Sequence, residues 1–209
     1  MIWGYCFQHS IFVLQLGKQI IGMNFKKMAL PVFLALLLLR TYASAGQSNG
    51  TAGERVHWMT WEEARLRVQE EPRKIVLDIY ADWCDMCKHM ENTTFQHPDL
   101  AHYINQNFYP VKLNAQQQEA LQYHDKRYQF VKKGKVGYHE LAAEFLRGRL
   151  TYPAIVFLNE DMEMIQSFIG YKSPAQFEKI AAYFGSDLYK RTPWSAFQRT
   201  YTPCVTERP

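Results

Sequence analysis

Residues 78–88 read Asp-Ile-Tyr-Ala-Asp-Trp-Cys-Asp-Met-Cys-Lys, and this stretch decides the fold. The run that leads into it, residues 74–80, is mostly apolar and β-branched, which predicts a short buried central strand. Cys84 and Cys87 follow at the predicted start of a helix, where positions i and i+3 lie one turn apart. That spacing matches the roughly 4.4–6.8 Å between Cα atoms that a disulfide needs. The unpaired N–H groups of a helix N-terminus stabilise a thiolate, so Cys84 is the predicted nucleophile and Cys87 the resolving cysteine.

Two other interpretations of the cysteine pair stay open. A zinc site would need further ligands, for which His89, His97 and His102 are candidates. Zinc sites usually combine two such pairs at regular spacing, and the sequence has no second Cys-x-x-Cys. A purely structural disulfide is disfavoured because a bridge across two residues hardly constrains the unfolded chain.

Strands and helices alternate around this pair. Thr60 is a helix N-cap candidate with Glu62 and Glu63 in the first turn, and this helix is expected to end before Pro72. Further strands are predicted at 56–59, 108–113, 154–158 and 162–169, and further helices at 138–146 and 174–184. The alternating order predicts an α/β fold with a central mixed sheet.

Residues 116–150 are polar and largely helical in their pattern, with a break rich in lysine and glycine at 132–137. We therefore expect a helical insertion at about 116–140, with His124 and His139 at the surface rather than acting as ligands. The aromatic side chains of this region either shape a surface for a partner or cover one end of the core.

The first 55 residues carry the features of a targeting segment. Residues 23–45 have a basic start, a 12-residue apolar run and small residues at the end, so we expect a signal peptide cleaved after Ala45. Residues 46–55 are predicted to form a flexible linker. For residues 1–22 we favour an upstream extension that is not translated; the alternative is a second, membrane-associated apolar segment. The body is then exported to a compartment that permits disulfide chemistry.

The distribution of charge argues against a nucleic-acid partner. The formal charge is +4, but residues 1–45 contain four basic residues and no acid. Residues 46–209 therefore hold 20 basic and 20 acidic residues. No basic face for nucleic acid is expected. Apolar residues make up 47% of the sequence, which is typical of a globular protein and rules out wholesale disorder.

Residues 78–88 resemble the active-site segment of thioredoxins. The likeness continues in the same order through 111–114, Tyr152, Pro153 and 168–170. The closer resemblance is to exported thioredoxin-like proteins, including the C-terminal periplasmic domain of the transmembrane thiol–disulfide interchange reductase.

These proteins share an Asp-Trp-Cys-x-x-Cys-Lys run and a Thr-Phe shortly after it, here Thr94-Phe95. The resemblance implies an α/β thioredoxin fold over residues 56–185, with a central mixed sheet flanked by helices. The helical insertion then precedes the proline of the fold, and residues 186–209 form a C-terminal extension.

The resemblance also implies roles for two residues near the cysteines. Asp78 corresponds to the buried acid beneath the second cysteine, where it takes the proton from Cys87. Lys112 corresponds to the lysine that accompanies this acid. The alternatives are a core acid satisfied by hydrogen bonds for Asp78, and a solvated edge-strand lysine for Lys112.

Four further residues are expected to face the substrate. Pro153 matches the cis-proline of the family, and together with Tyr152 it would offer backbone groups to an extended substrate strand. Trp83 would pack beside the disulfide, and Gly170 would allow close approach to this face. An ordinary proline at a strand entry is the alternative for Pro153.

The activity implied by the resemblance is the reduction of protein disulfides by dithiol–disulfide exchange. Between its cysteines this chain has Asp85-Met86, where thioredoxin has Gly-Pro. The charge of Asp85 opposes thiolate formation, which favours a reductase over an oxidase. A disulfide oxidase or isomerase is one alternative, and a binding or metal-handling module that keeps the fold is another.

The expected setting follows from the same resemblance. We expect a periplasmic monomer that acts on disulfide-containing proteins and receives electrons from a membrane donor. No nucleic acid, no metal and no cofactor beyond the redox-active Cys84–Cys87 pair is expected.

Overall fold

The computed structural model describes residues 53–133 and 136–205. The predicted signal peptide, most of the predicted linker and residues 1–22 lie outside the described residues. The helices are α1 Trp61–Glu70, α2 Asp85–Thr93, α3 Pro98–Asn107, α4 Glu140–Phe145, α5 Pro174–Gly185 and α6 Trp194–Thr200. The strands are β1 Ile75–Tyr80, β2 Tyr109–Asn114, β3 Leu121–Tyr123, β4 Lys126–Tyr128, β5 Phe130–Lys133, β6 Val136–His139, β7 Ala154–Leu158 and β8 Met164–Ile169.

The central sheet has four strands in the order β2–β1–β7–β8. β1 pairs in parallel with β2 and antiparallel with β7, and β7 pairs antiparallel with β8. The predicted α/β class with a mixed sheet is confirmed. The strand expected at 56–59 is reduced to a single bridge between Met59 and Val111, because only Met59 exchanges backbone hydrogen bonds with β2.

Both faces of this sheet are covered. Alternate residues of β1, Ile75, Leu77 and Ile79, share one core cluster with side chains of α1 and α4. On the other face Phe157 of β7 stacks on Phe177 and Phe184 of α5. Strands buried on both sides read as continuous apolar runs, which is why β1 and β7 were recognisable in the sequence.

The ends of two helices follow from local capping. Thr60 and Glu63 form a capping box at the start of α1, and Ser173 and Gln176 form one at the start of α5. Such side chains satisfy N–H groups that have no partner inside the helix. The helix boundaries predicted for these two elements are therefore close to those observed.

The insertion is built from two β-hairpins, so the expected helical insertion is wrong. β3 pairs with β4, and β5 pairs with β6. Between β3 and β4 only His124 and Asp125 remain, and His124 has a φ of +49°. Positive φ is required in the commonest two-residue hairpin turns, and this turn chemistry overrides the helical polar pattern.

His139 is also placed differently from the expectation, since it is buried rather than at the surface. It caps α4: the Leu141 N–H donates to its Nδ1 (3.2 Å), and its Nε2 lies 2.9 Å from the Glu119 carbonyl oxygen. Burial lowers the pKa of His139. The neutral ring therefore joins the insertion to the core.

The C-terminal extension packs into the core of the domain. Phe197 of α6 is fully buried, with its ring centroid 5.0 Å from that of Tyr183 on α5. The buried carboxylate of Glu178 accepts hydrogen bonds from the Tyr201 hydroxyl (2.8 Å) and the Val205 N–H (2.7 Å). The extension is therefore an integral layer over α5.

Phe197→Ala is expected to lower the free energy of unfolding by about 3–5 kcal/mol, because a buried aromatic side chain is replaced by a cavity. Urea unfolding monitored by fluorescence measures this change. The matched control is Gln198→Ala on the same helix, an exposed position expected to shift stability by about 0.5 kcal/mol or less. Equal effects of the two variants would show that the extension does not contribute to the core.

Candidate active site

A disulfide between Cys84 and Cys87 lies at the N-terminus of α2, with 5.2 Å between the two Cα atoms. Cys84 is the N-cap residue, and its Sγ accepts a hydrogen bond from the Cys87 N–H (3.1 Å). The two cysteines are buried to a similar degree, 5% and 9% exposed, so exposure does not distinguish them. The Cys87 N–H directed at the sulfur of Cys84 does distinguish them, because it would stabilise a thiolate on Cys84 after reduction.

Asp78 lies in β1, on the side of the sheet that faces α2. It shares a pocket of about 220 Å³ with Cys87, Glu91 and Lys112. Only 4% of Asp78 is exposed, and desolvation raises the pKa of its carboxyl from 3.8 to about 7. Lys112 opposes this rise and Glu91 adds to it. A group with such a pKa can gain or lose a proton near neutral pH.

Lys112 is held by several partners and is only partly solvated. It is the register partner of Asp78 across the β1–β2 pair, and it forms an ion pair with Glu91. Its Nζ also lies 5.2 Å from the ring centroids of both Trp58 and Tyr80. Sequence reasoning missed Glu91. Its position four residues after Cys87 was the available signal, since i and i+4 share one helix face.

The four residues expected to face a substrate form a connected set. Trp83 is 62% exposed and meets Tyr152 edge to face, with 6.0 Å between ring centroids. Tyr152 packs against the cluster that contains both cysteines. The Tyr152–Pro153 peptide bond is cis, the conformation that the resemblance implies.

Gly170 adjoins this set through its backbone. Its N–H donates to the Pro153 carbonyl oxygen (2.8 Å), and its φ of +84° lies in the left-handed region that favours glycine. The need for glycine here is conformational, because a Cβ on Gly170 would meet nothing within 4 Å.

Gln116 is a second residue that sequence reasoning missed. Its Oε1 accepts a hydrogen bond from Nε1 of Trp83 (2.9 Å), and its Nε2 donates to the Gly137 carbonyl oxygen (3.3 Å). One side chain thus joins the active-site loop to the β5–β6 hairpin. No local pattern signals this role, because both contacts are long-range.

The histidines considered as zinc ligands have other partners. His89 packs on the ring of Tyr171, and His102 bonds to Glu54 through Nδ1 (2.8 Å). Within residues 53–133 and 136–205, no group of three or more His, Cys, Asp or Glu side chains is arranged to hold a metal ion. Across the same ranges, no helix has the length and apolar character needed to cross a membrane.

The mixed sheet, the Cys-x-x-Cys disulfide that caps a helix and the adjoining cis-proline define a thioredoxin-fold protein. A family model described as a thioredoxin-like domain matches residues 61–185, which is more than half of the chain. The chain belongs to this thioredoxin-like family. No curated protein sequence matches it.

Solved structures similar to the chain show only distant sequence likeness. The C-terminal domain of DsbD from Neisseria meningitidis, in its oxidised form, is 19% identical, with 60% of this chain and 90% of that one covered and a TM-score of 0.39. A DsbH oxidoreductase is 18% identical, with coverages of 72% and 99% and a TM-score of 0.48. A thioredoxin-fold protein from Helicobacter pylori is 15% identical, with coverages of 62% and 80% and a TM-score of 0.47.

Because the pKa of Asp78 is raised, the free energy of unfolding of the oxidised protein is predicted to fall with rising pH. The carboxyl titrates at about 7 in the folded chain and near 3.8 when exposed, so folding favours its protonated form. Stability linked to this group is fully present below about pH 4 and is lost as the pH rises through 7. The free energy of unfolding of the wild type should therefore fall by roughly 3–4 kcal/mol between pH 4 and pH 8 because of this group. Asp78→Asn cannot ionise and should not show this fall.

Urea unfolding of both oxidised proteins at the two pH values measures this difference. Asp125→Asn, at an exposed turn position, is the matched control and should run parallel to the wild type. A pH dependence shared by wild type and Asp78→Asn would show that the buried carboxyl titrates normally.

Proposed function

We propose that this chain is an exported thiol–disulfide oxidoreductase that reduces protein disulfides. The observation that carries the proposal is the Cys84–Cys87 disulfide at the N-terminus of α2, with Asp78 and Cys87 lining one pocket. A helix N-terminus lowers the cost of a thiolate, and a neighbouring acid with a pKa near 7 can move the second proton.

The reaction is a sequence of two exchanges. The Cys84 thiolate attacks one sulfur of the partner's disulfide, and the other partner sulfur leaves as a thiolate. Cys87 then loses its proton, with Asp78 as the acceptor, and attacks Sγ of Cys84. This step forms the internal disulfide and releases the second partner sulfur as a thiolate. Two electrons pass from the dithiol to the partner.

The direction of the reaction is supported by the residue after Cys84. Asp85 is the first residue of α2, and a negative charge beside Cys84 disfavours the thiolate and hence the reduced state. A pair whose reduced form is less stable is the stronger reductant. The effect is modest, because the Asp85 side chain is 95% exposed and lies 3.5 Å from Lys88. An oxidase or isomerase would require a more stable thiolate.

The setting of the reaction belongs to the same proposal. A reductase must itself be reduced again, and resemblance supports a membrane protein as the electron donor. The signal-peptide features of residues 23–45 support export to the periplasm. The substrates are then proteins with disulfides, and the chain acts as a monomer.

Cys87→Ser is expected to accumulate mixed disulfides with its natural substrates, because the first exchange proceeds and the resolving thiol is absent. Non-reducing gels of the variant, expressed in the native compartment, detect them as bands that collapse on reduction. Cys84→Ser is the matched control and should capture none. Failure of Cys87→Ser to capture any partner would contradict the proposed function.

A further inference from the structure

The insertion forms one wall of an open pocket beside the disulfide, with a volume of about 340 Å³. We call this pocket the hairpin groove. It lies between the active-site loop and the β5–β6 hairpin. The side chains that matter here are Trp83, Gln116, Lys133, Val136, Tyr138 and Tyr152.

One face of the β5–β6 hairpin lines the groove. Lys133 pairs with Val136, and Val131 pairs with Tyr138, so these four side chains share that face. Lys132 pairs with Gly137 and belongs to the opposite face. The hairpin therefore offers two neighbouring lysines, one on the groove side and one on the far side.

The wall of the groove is fixed to the active site. Gln116 bonds to both Trp83 and the backbone of Gly137, as described above. On the far face the Phe130 ring lies directly on Gly137, where an added Cβ would come within 2.0 Å of the ring. The groove is thus a built extension of the surface around Cys84.

The groove is largely apolar, with basic residues in its lining or next to it in sequence. Val136 is 61% exposed and Trp83 is 62% exposed, which is unusual for large apolar side chains. Among the described residues that line the groove, Lys133 is the charged one. Arg147 and Arg149 are exposed on either side of Gly148, which also lines it.

The acidic residues of the neighbouring helix α4 are Glu140 and Glu144. The carboxylate of Glu140 accepts a hydrogen bond from the Gln129 N–H (2.8 Å). Burial raises the pKa of Tyr128, and the nearby carboxylate of Glu144 adds to this rise. Among the described residues, no carboxylate lies within ion-pair distance of Lys133, Arg147 or Arg149.

We propose that the hairpin groove binds an acidic segment with an aromatic side chain, located next to the partner cysteine that Cys84 attacks. This inference rests on the proposed function and names the kind of substrate it selects. A mixed disulfide holds the two Cα atoms within about 7 Å, and an extended chain advances about 3.3 Å per residue. In this proposal, partner residues two to four positions from the cysteine pass Trp83 and occupy the groove.

Synthetic peptides test this selection. Each peptide carries one cysteine as a mixed disulfide with 5-thio-2-nitrobenzoate, flanked on both sides by a glycine and then by Glu-Phe-Glu, Lys-Phe-Lys or Glu-Ser-Glu. The Cys84 thiolate of the reduced protein forms a disulfide with the peptide sulfur, and coloured thionitrobenzoate leaves. Stopped-flow absorbance gives the rate constant, which is divided by the rate constant of the same peptide with glutathione.

The Glu-Phe-Glu peptide is expected to react roughly tenfold faster than the Lys-Phe-Lys peptide at low salt, with the ratio shrinking in about 0.5 M salt. It should also react at least about threefold faster than the Glu-Ser-Glu peptide, because serine cannot make the apolar contacts of the phenylalanine ring. Lys133→Glu should reduce the preference for Glu-Phe-Glu over Lys-Phe-Lys about threefold or more. Lys132→Glu, with the same charge change on the far face, should leave most of that preference in place.

Three results would overturn the inference. These are equal normalised rates for the three peptides, equal effects of the two lysine variants, and a preference that ignores salt. The small disulfide 5,5′-dithiobis(2-nitrobenzoate) separates this failure from that of the proposed function. If the protein reduces this compound without discriminating among peptides, the inference fails alone. If it reduces neither the compound nor the peptides, the proposed function fails and the inference with it.

Discussion

The N-terminus of α2 is held against the carboxyl end of the buried strand β1, and the candidate chemistry depends on this contact. Only residues 81–84 connect the two elements, and the Cys84 N–H closes their turn by donating to the Ala81 carbonyl oxygen (3.0 Å). Cys84 is thereby fixed as the N-cap, with the Cys87 N–H directed at its sulfur. The same contact places Cys87 above Asp78. The proposed nucleophile, resolving thiol and proton acceptor thus come from one strand–helix junction.

The parts of the fold that follow local rules could be predicted from the sequence. Central strands buried on both faces give continuous apolar runs, and capping residues such as Thr60 and Ser173 mark helix starts. The insertion could not be predicted in this way. Its hairpins are short and carry polar residues that also suit a helix, so the turn at His124 and the long-range capping by His139 decide its structure.

Only part of the candidate site could be predicted from the sequence. The cysteines, Asp78 and Pro153 stand in a recognisable order along the chain, whereas Glu91 and Gln116 act through contacts that only the folded chain creates. Gln116 is central to the proposed specificity, because it connects Trp83 to the hairpin that lines the groove. The packing of the C-terminal extension could not be predicted either, because the burial of Phe197 and the hydrogen bonds to Glu178 depend on long-range contacts.

The equilibrium reduction potential of the Cys84–Cys87 pair is the sharpest test of whether this chain is a reductase. The purified protein would be equilibrated with a series of glutathione or dithiothreitol redox buffers, and the fraction of dithiol measured by thiol alkylation. A reductase is expected to show a reversible two-electron transition at or below about −220 mV, as suits a donor of electrons to protein disulfides. A potential above about −180 mV would reverse the proposed direction, and the absence of a reversible transition would contradict the exchange mechanism itself.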